Sequence, residues 1–243
     1  PSHLSLIKDF DNRGSSVRRF IVGGENLKTS LAKDIHESFG GNIEIFNEYG
    51  PTEATVGCMI YKYYPEKDNG NSVSIGKPSS NTQIYILDKL LNILPEGLEG
   101  EMYISGDCLA RGYLNKEKMT KKRFINNPFI DGKTMYKTGD IAKYLEDGNI
   151  EFCGRQDNQV KVRGYRIELG EIETVLDTLP NIKKNAVIVS NLLGGEPRLV
   201  AYLQSARPDY DTNVVRNQLE EILPDFMIPS IFMLIKEFRI TKN

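Results

Sequence analysis

Between residues 58 and 156 the chain alternates short β-prone runs with turn dipeptides, and this texture limits the fold more than any other feature. The runs GCMIYKYY, TQIYILD, GEMYISG, TMYKTGDIAKY and NIEFCG are punctuated by Asn-Gly, Glu-Gly and Asp-Gly pairs. Strands closed by such pairs fold back antiparallel, because Gly accepts the positive φ of a tight turn. The only helical candidate in this region is the polar segment NKEKMTKKRF at 115–124. The expectation is a compact, mostly antiparallel β subdomain over 58–156.

The flanking regions read differently. Up to about residue 57 the pattern predicts a first helix in PSHLSLIKDF, a strand at 18–24, a helix over 27–39 and a strand at 43–46, which is the tail of a layered α/β core. After 157 the order becomes strand, helix (LGEIETVLDTL), strand (KNAVIVS), strand (RLVAYLQ), helix (VVRNQLEEIL) and an apolar extended end, a small separate α+β domain. The predicted fold class is therefore α/β plus β plus α+β, divided into 1–156 and 157–243, with no internal repeat and no low-complexity segment.

With 40% hydrophobic and 26% charged residues, 243 residues can bury one sizeable core or two smaller ones. The 31 basic and 33 acidic residues leave a net charge of -2, so no global field selects nucleic acid or an anionic membrane as partner. No signal peptide is evident and no apolar run nears the roughly 20 residues that span a bilayer. Cys58, Cys108 and Cys153 are far apart and set among apolar neighbours, which predicts reduced, mostly buried thiols in a cytoplasmic protein. The chain opens without Met in a helical-looking segment, as a piece of a longer protein would.

Candidate chemistry gathers in particular stretches. NEYGPTEAT at 47–55 puts an amide, an aromatic ring, a hydroxyl and carboxylates around a Gly-Pro break at a predicted strand end, where a sheet holds binding groups rigidly. The alternative is a Gly-Pro turn with incidental polar residues. YKTGD at 136–140 places Asp140 after a Thr-Gly turn, where its carboxylate could accept hydrogen bonds from a vicinal diol. GRQDNQVKVRGYRIELGEIE at 154–173 packs Arg155, Lys161, Arg163 and Arg166 against Asp157, Glu168, Glu171 and Glu173; a solvated face laced with ion pairs would read the same way. His3 and His36 fit no catalytic triad and are expected at the surface.

Taken together and in this order, VGGE (22–25), NEYGPTEAT, GEMYISGDCLARGYLN (100–115), YKTGD, the 154–173 run and LPDFMIP (223–229) resemble successive core motifs of the adenylation domains of nonribosomal peptide synthetases. The resemblance covers essentially the whole chain and implies its C-terminal portion only. The family's glycine-rich Ser/Thr phosphate loop and the Asp that anchors the substrate amino group would lie upstream of Pro1. The family's invariant Lys follows an Asn-Gly pair, so Lys242, which precedes Asn243, is not that residue. The isolated 243-residue chain is accordingly expected to form adenylate poorly.

The resemblance also implies roles. Asn47 would meet the adenine amino edge, Tyr49 its ring face and Thr52 the α-phosphate, while Glu53 would help hold Mg²⁺. Asp140 would grip the ribose hydroxyls, Phe152 would border the adenine, and Arg155 would contact the ribose and phosphate region. Thr52, Glu53 and Arg155 would be the catalytic set, and Asp157 the hinge of the small domain. Phe152 has an alternative as a core aromatic and Arg155 as a surface ion-pair former. The implied reaction joins an amino acid to ATP as an aminoacyl adenylate, then hands it to the phosphopantetheine thiol of a downstream carrier domain, with a condensation domain upstream. Ile21, Gly23, Glu48, Val56 and Gly57 match part of the family's side-chain pocket, and the set I-G-E-V-G resembles pockets for asparagine. A solvent-facing Glu48 is the alternative. Within the same fold an acyl-CoA ligase, and outside enzymes a non-catalytic nucleotide-binding module, are the competing readings.

Overall fold

A computed structural model describes residues 1–190, 197–207 and 210–238. The ITKN end with Lys242 lies outside the described residues. The chain forms two compact units, Pro1–Asp157 and Asn158–Asn243.

In the first unit, helix α1 spans only Ser2–Ser5. The longer helix expected in PSHLSLIKDF stops there because turn-forming residues follow: Asn12 Nδ2 donates to the carbonyls of Ile7 (3.0 Å) and Phe10 (3.1 Å), and Asp11 Oδ1 accepts from the Arg13 amide. Strand β1, Arg19–Val22, passes through helix α2, Thr29–Ser38, into β2, Glu44–Tyr49, a parallel pair with Ile21 opposite Phe46 and Val22 opposite Asn47. Helix α2 buries Ala32 and Ile35 toward a cluster with Leu27 and Ile45. Strand β3, Met59–Lys62, lies antiparallel on β2, and the short β4, Lys77–Pro78, closes the order β1-β2-β3-β4. The change of region expected near residue 57 thus falls inside one sheet, because β3 pairs with the Asn47-Glu48-Tyr49 end of β2.

The second sheet is antiparallel throughout. It contains β5 (Thr82–Leu87), β6 (Gly100–Gly106), β7 (Phe124–Asn126, after helix α3, Glu117–Arg123), β8 (Thr134–Tyr144) and β9 (Ile150–Arg155). Strand β8 pairs with β6, β7 and β9. Tyr49, Ala54 and Met59 from the first sheet region share a core with Ile84, Ile86, Met102, Ile104 and Ile150 from the second. Fully burying each such aliphatic side chain stabilises by about 1.5–3 kcal/mol.

The three thiols are free, but only Cys58 is buried, with burial pushing its pKa up to about 12. Cys108 is half-buried and Cys153 exposed, against the expectation of mostly buried thiols. The reason for Cys153 is a register shift: Ile141 pairs with Gly154 and Ala142 with Phe152, which leaves Cys153 the extra residue of a bulge. His36 also departs from expectation; it is half-buried with its ring edge-on to Tyr63 at 6.4 Å, whereas His3 is exposed.

The second unit opens with a hairpin where a single strand was expected. Strands β10, Gln159–Val162, and β11, Tyr165–Glu168, are joined by Arg163 (φ 53°) and Gly164 (φ 80°), the two positive φ values of a tight primed turn. Helix α4, Leu169–Thr178, precedes β12, Ile182–Ser190, and β13, Arg198–Ser205. Helix α5, Thr212–Glu220, starts at Asp211, whose side chain accepts from the Asn213 amide, and β14, Ile231–Leu234, runs parallel to β13. Ile167, Ile172, Leu176, Ala201, Leu203, Val215 and Leu219 form this unit's own core. Among the described residues no helix is long and apolar enough to cross a membrane.

Candidate functional site

Alternation along β2 sorts the motif residues. Asn47 and Tyr49 point to the buried side and Glu48 to the other, half-buried side. Asn47 is 2% exposed, and its Nδ2 donates to the carbonyls of Val73 (3.1 Å) and Ser74 (2.9 Å). Its donors are spent, so Oδ1 remains as the acceptor to offer a ligand. Tyr49 does not present an open ring face: it is 7% exposed within the core, 6.5 Å from the Phe152 ring, and its hydroxyl donates to Asp140 Oδ2. Burial, then the Asp140 charge, holds the Tyr49 hydroxyl well above its ordinary pKa, so it stays a donor.

Asp140 sits in a strand rather than after a turn. On β6 Glu101 and Tyr103 are two residues apart, but their partners on β8, Ile141 and Lys137, are four apart, so Thr138, Gly139 and Asp140 bulge. Gly139 supplies the φ of 76°. The Thr138 hydroxyl donates to the Met102 carbonyl at 2.6 Å and accepts from the Asp140 amide at 2.9 Å, which satisfies groups the bulge removes from the ladder. Directly across β9, Arg155 Nη1 meets Asp140 Oδ1 at 2.5 Å, with side-chain exposures of 11% and 6%. The same guanidinium forks onto Asp157 at 2.6 and 2.7 Å, and Arg123, at the end of α3, lies 3.5 Å from Asp157. The result is a continuous line of charges, Asp140, Arg155, Asp157 and Arg123, anchored at one end by Tyr49.

Residues 52–54 form a 3-10 turn after Pro51. Thr52 is exposed, Glu53 is 8% exposed, and Glu53 Oε1 accepts from the Tyr113 hydroxyl at 2.5 Å. Among the described residues no cluster of three or more His, Cys, Asp or Glu could hold a metal by itself. A buried carboxylate beside an open hydroxyl does fit Mg²⁺, which takes one or two protein carboxylates and completes its shell with phosphate and water oxygens.

Of the candidate pocket residues, Gly23 and Gly57 lie against Glu48. A Cβ on Gly23 would lie 2.7 Å from the Glu48 carbonyl oxygen, and one on Gly57 would lie 2.5 Å from Glu48 Oε1. Gly57 must stay bare to leave the carboxylate its space, and Gly23 to let β1 approach the backbone of residue 48. Thr55 (φ 57°) and Val56 (φ 72°) turn left-handed to bring Gly57 there, and Gly50 permits the close return, since a Cβ on it would sit 2.0 Å from the Val56 carbonyl oxygen. Ile21 and Val56 are 60% and 66% exposed. Beside Ile21 and Gly23 opens a cavity of about 380 Å³, lined also by His3, Leu4, Ile7 and Phe20. Glu48 is half-buried.

Tyr113, Arg123 and Thr138 carry no role in the motifs as sequence. Thr138 lies in YKTGD and Tyr113 in the motif at 100–115, but only the fold reveals that their hydroxyls reach Met102 and Glu53.

A family model described as AMP-binding enzyme matches residues 3–114. Tyrocidine synthase 3 of Brevibacillus parabrevis is 52% identical over 243 residues, all of this chain and 4% of that protein. The holo form of PA1221, a nonribosomal peptide synthetase protein containing adenylation and PCP domains, superposes with a TM-score of 0.88 at 26% identity, over 99% of this chain and 41% of that one. The Vibrio cholerae adenylation domain AlmE, in complex with glycyl-adenosine-5'-phosphate, gives a TM-score of 0.84 at 26% identity, over 97% of this chain and 45% of that one. The chain thus spans a small part of the synthetase it matches and under half of each structure.

Proposed function

The chain belongs to the AMP-binding enzymes, as part of an adenylation domain of the nonribosomal peptide synthetase type, and from that premise we propose that its parent activates an amino acid and loads it onto a carrier domain. The observation that carries the reading is the convergence of Tyr49 and Arg155 on Asp140, which gathers residues of two sheets at one carboxylate. AlmE, similar over nearly all of this chain, holds an aminoacyl adenylate.

In the first step a substrate carboxylate oxygen bonds to the α-phosphorus of ATP, and the bond to pyrophosphate breaks with its electron pair on the leaving group. Asn47 offers Oδ1 to the adenine amino group, Phe152 borders the base, and Asp140 accepts from the ribose hydroxyls by exchanging part of its hold on Tyr49. Thr52 meets the α-phosphate and Arg155 neutralises charge that builds there. Mg²⁺, when bound, supplies further neutralisation of the phosphates, with Glu53 as its protein ligand. In the second step the thiol of phosphopantetheine on a downstream carrier domain attacks the acyl carbon, losing its proton, and AMP departs. Asp157 serves as hinge between the half-reactions, and a condensation domain precedes this one in a cytoplasmic synthetase.

The substrate is asparagine. Glu48, spaced by Gly23 and Gly57, accepts a hydrogen bond from a side-chain amide and repels a carboxylate, a discrimination on the order of 10² to 10³. The test is ATP-pyrophosphate exchange by the complete parent domain across the common amino acids, with Asp140→Asn and Glu48→His alongside. L-Asn is expected among the best substrates, Asp140→Asn to raise the KM for ATP, and Glu48→His to erode the preference for Asn over Asp. Exchange with acyl acids, and their conversion to acyl-CoA with consumption of free CoA and release of AMP, would instead favour a ligase, and silence with every acid a non-catalytic nucleotide-binding module.

A further inference from the structure

The end of the 100–115 motif, residues 107–114, is pinned to the turn that carries Glu53. Thr55 Oγ1 donates to the Cys108 carbonyl at 2.6 Å, the Ala110 amide donates to the Glu53 carbonyl at 2.8 Å, and the Tyr113 hydroxyl donates to Glu53 Oε1 at 2.5 Å. Tyr113 is itself fixed from two sides. Its amide donates to Thr120 Oγ1 at 2.9 Å, and its ring meets Phe124 edge-on at 5.8 Å. Gly112, at φ 135°, lets Thr120 come this near, since a Cβ there would stand 2.4 Å from Thr120 Cγ2. Backbone bonds alone would lock the two loops together; the hydroxyl on a buried carboxylate adds orientation of that carboxylate.

We infer that Tyr113 is a positioning residue for Glu53, its hydroxyl engaging Oε1 and fixing the orientation in which the carboxylate would meet the cation of a bound nucleotide. The inference rests on Glu53 as the protein ligand of that cation. Groups that orient a metal-binding carboxylate set its affinity without touching the ion.

The test uses the complete parent domain, a non-hydrolysable ATP analogue and Mn²⁺, with free Mn²⁺ read by electron paramagnetic resonance. Tyr113→Phe keeps the ring on Phe124 and removes the hydroxyl, with its bonds to Glu53 and Tyr136. It is expected to weaken Mn²⁺ binding about tenfold, the size found for groups that orient metal ligands, and to leave metal-free nucleotide affinity unchanged. Glu53→Gln is expected to weaken Mn²⁺ binding at least as much. If Glu53→Gln loses Mn²⁺ while Tyr113→Phe binds it like the unaltered domain, Tyr113 merely locks the loop and the inference is overturned. If Glu53→Gln also binds normally, the reading of Glu53 falls and takes the inference with it. Should Tyr113→Phe fail to fold, Thr120→Val decides instead: it keeps the contact with Gly112, frees the Tyr113 amide and is expected to weaken Mn²⁺ binding less strongly. Unchanged Mn²⁺ affinity in that variant overturns the inference equally.

Discussion

Asp140 and Arg155 face each other across β8 and β9 with side chains 6% and 11% exposed, so neither charge is well solvated without the other. Arg155→Gln is expected to lower unfolding free energy by about 3–5 kcal/mol, the usual cost of stranding one member of a buried pair. Urea denaturation measures it; a loss below about 1 kcal/mol would mean that Asp140 stays solvated without Arg155. Gly57→Ala makes a different demand, because its Cβ would lie 2.5 Å from Glu48 Oε1. That variant should raise the KM for the amino acid and spare the KM for ATP, as steady-state exchange kinetics will show. At this scale a motif named residue types such as Asp140, which the structure places between Tyr49 and Arg155, but not their surroundings. It was silent on burial: a tyrosine beside a Gly-Pro break reads as open, yet the β2 register turns Tyr49 into the core.

Strand β8 carries the element-scale lesson. Its residues read as a β run, but TGD within it reads as a turn, because Gly marks both a turn and a bulge in one dimension. Only pairing with β6 decides, since two extra residues on β8 must loop out opposite Met102. Gly139→Ala should therefore cost more than a turn glycine does. A Cβ at 139 adds strain at φ 76° and would lie 2.9 Å from Arg155 Nη2, whereas at Gly132 (φ 68°) it would meet nothing within 4 Å. The positive φ alone costs about 1–2 kcal/mol, so Gly132→Ala should show that loss and Gly139→Ala clearly more, by chemical denaturation. The hairpin of β10 and β11 was missed for a related reason: its charged, polar composition hides two strands of four residues each.

For the whole molecule, the two units keep separate cores, one built around Leu176 and Ala201, the others around residues such as Ile35 and Met102. Leu176→Ala should remove about 2–5 kcal/mol from the second unit. Hydrogen exchange should then quicken at amides of β12 and β13 and stay slow along β8; uniform quickening would mean that the units unfold as one. Asp157→Pro in the complete parent should impair thioester formation more than adenylation, and equal loss of both would count against Asp157 as the hinge. The three-part texture of strands and helices was legible because periodicity survives without contacts. The joining of β3 to the first sheet was not, since strand partners are chosen by distant residues.

The bare flanks of Glu48 carry an evolutionary consequence. Because Gly23 and Gly57 contribute no side chains, any residue that replaces either meets residue 48 first, at its carbonyl oxygen from 23 and at its carboxylate from 57. Under the role proposed for Glu48, a lineage built on this backbone would alter its monomer first at residue 48, while the glycines keep that side chain its room. A lineage that once acquires a side chain at 23 or 57 must rebuild the strand and the left-handed loop before position 48 can vary freely again.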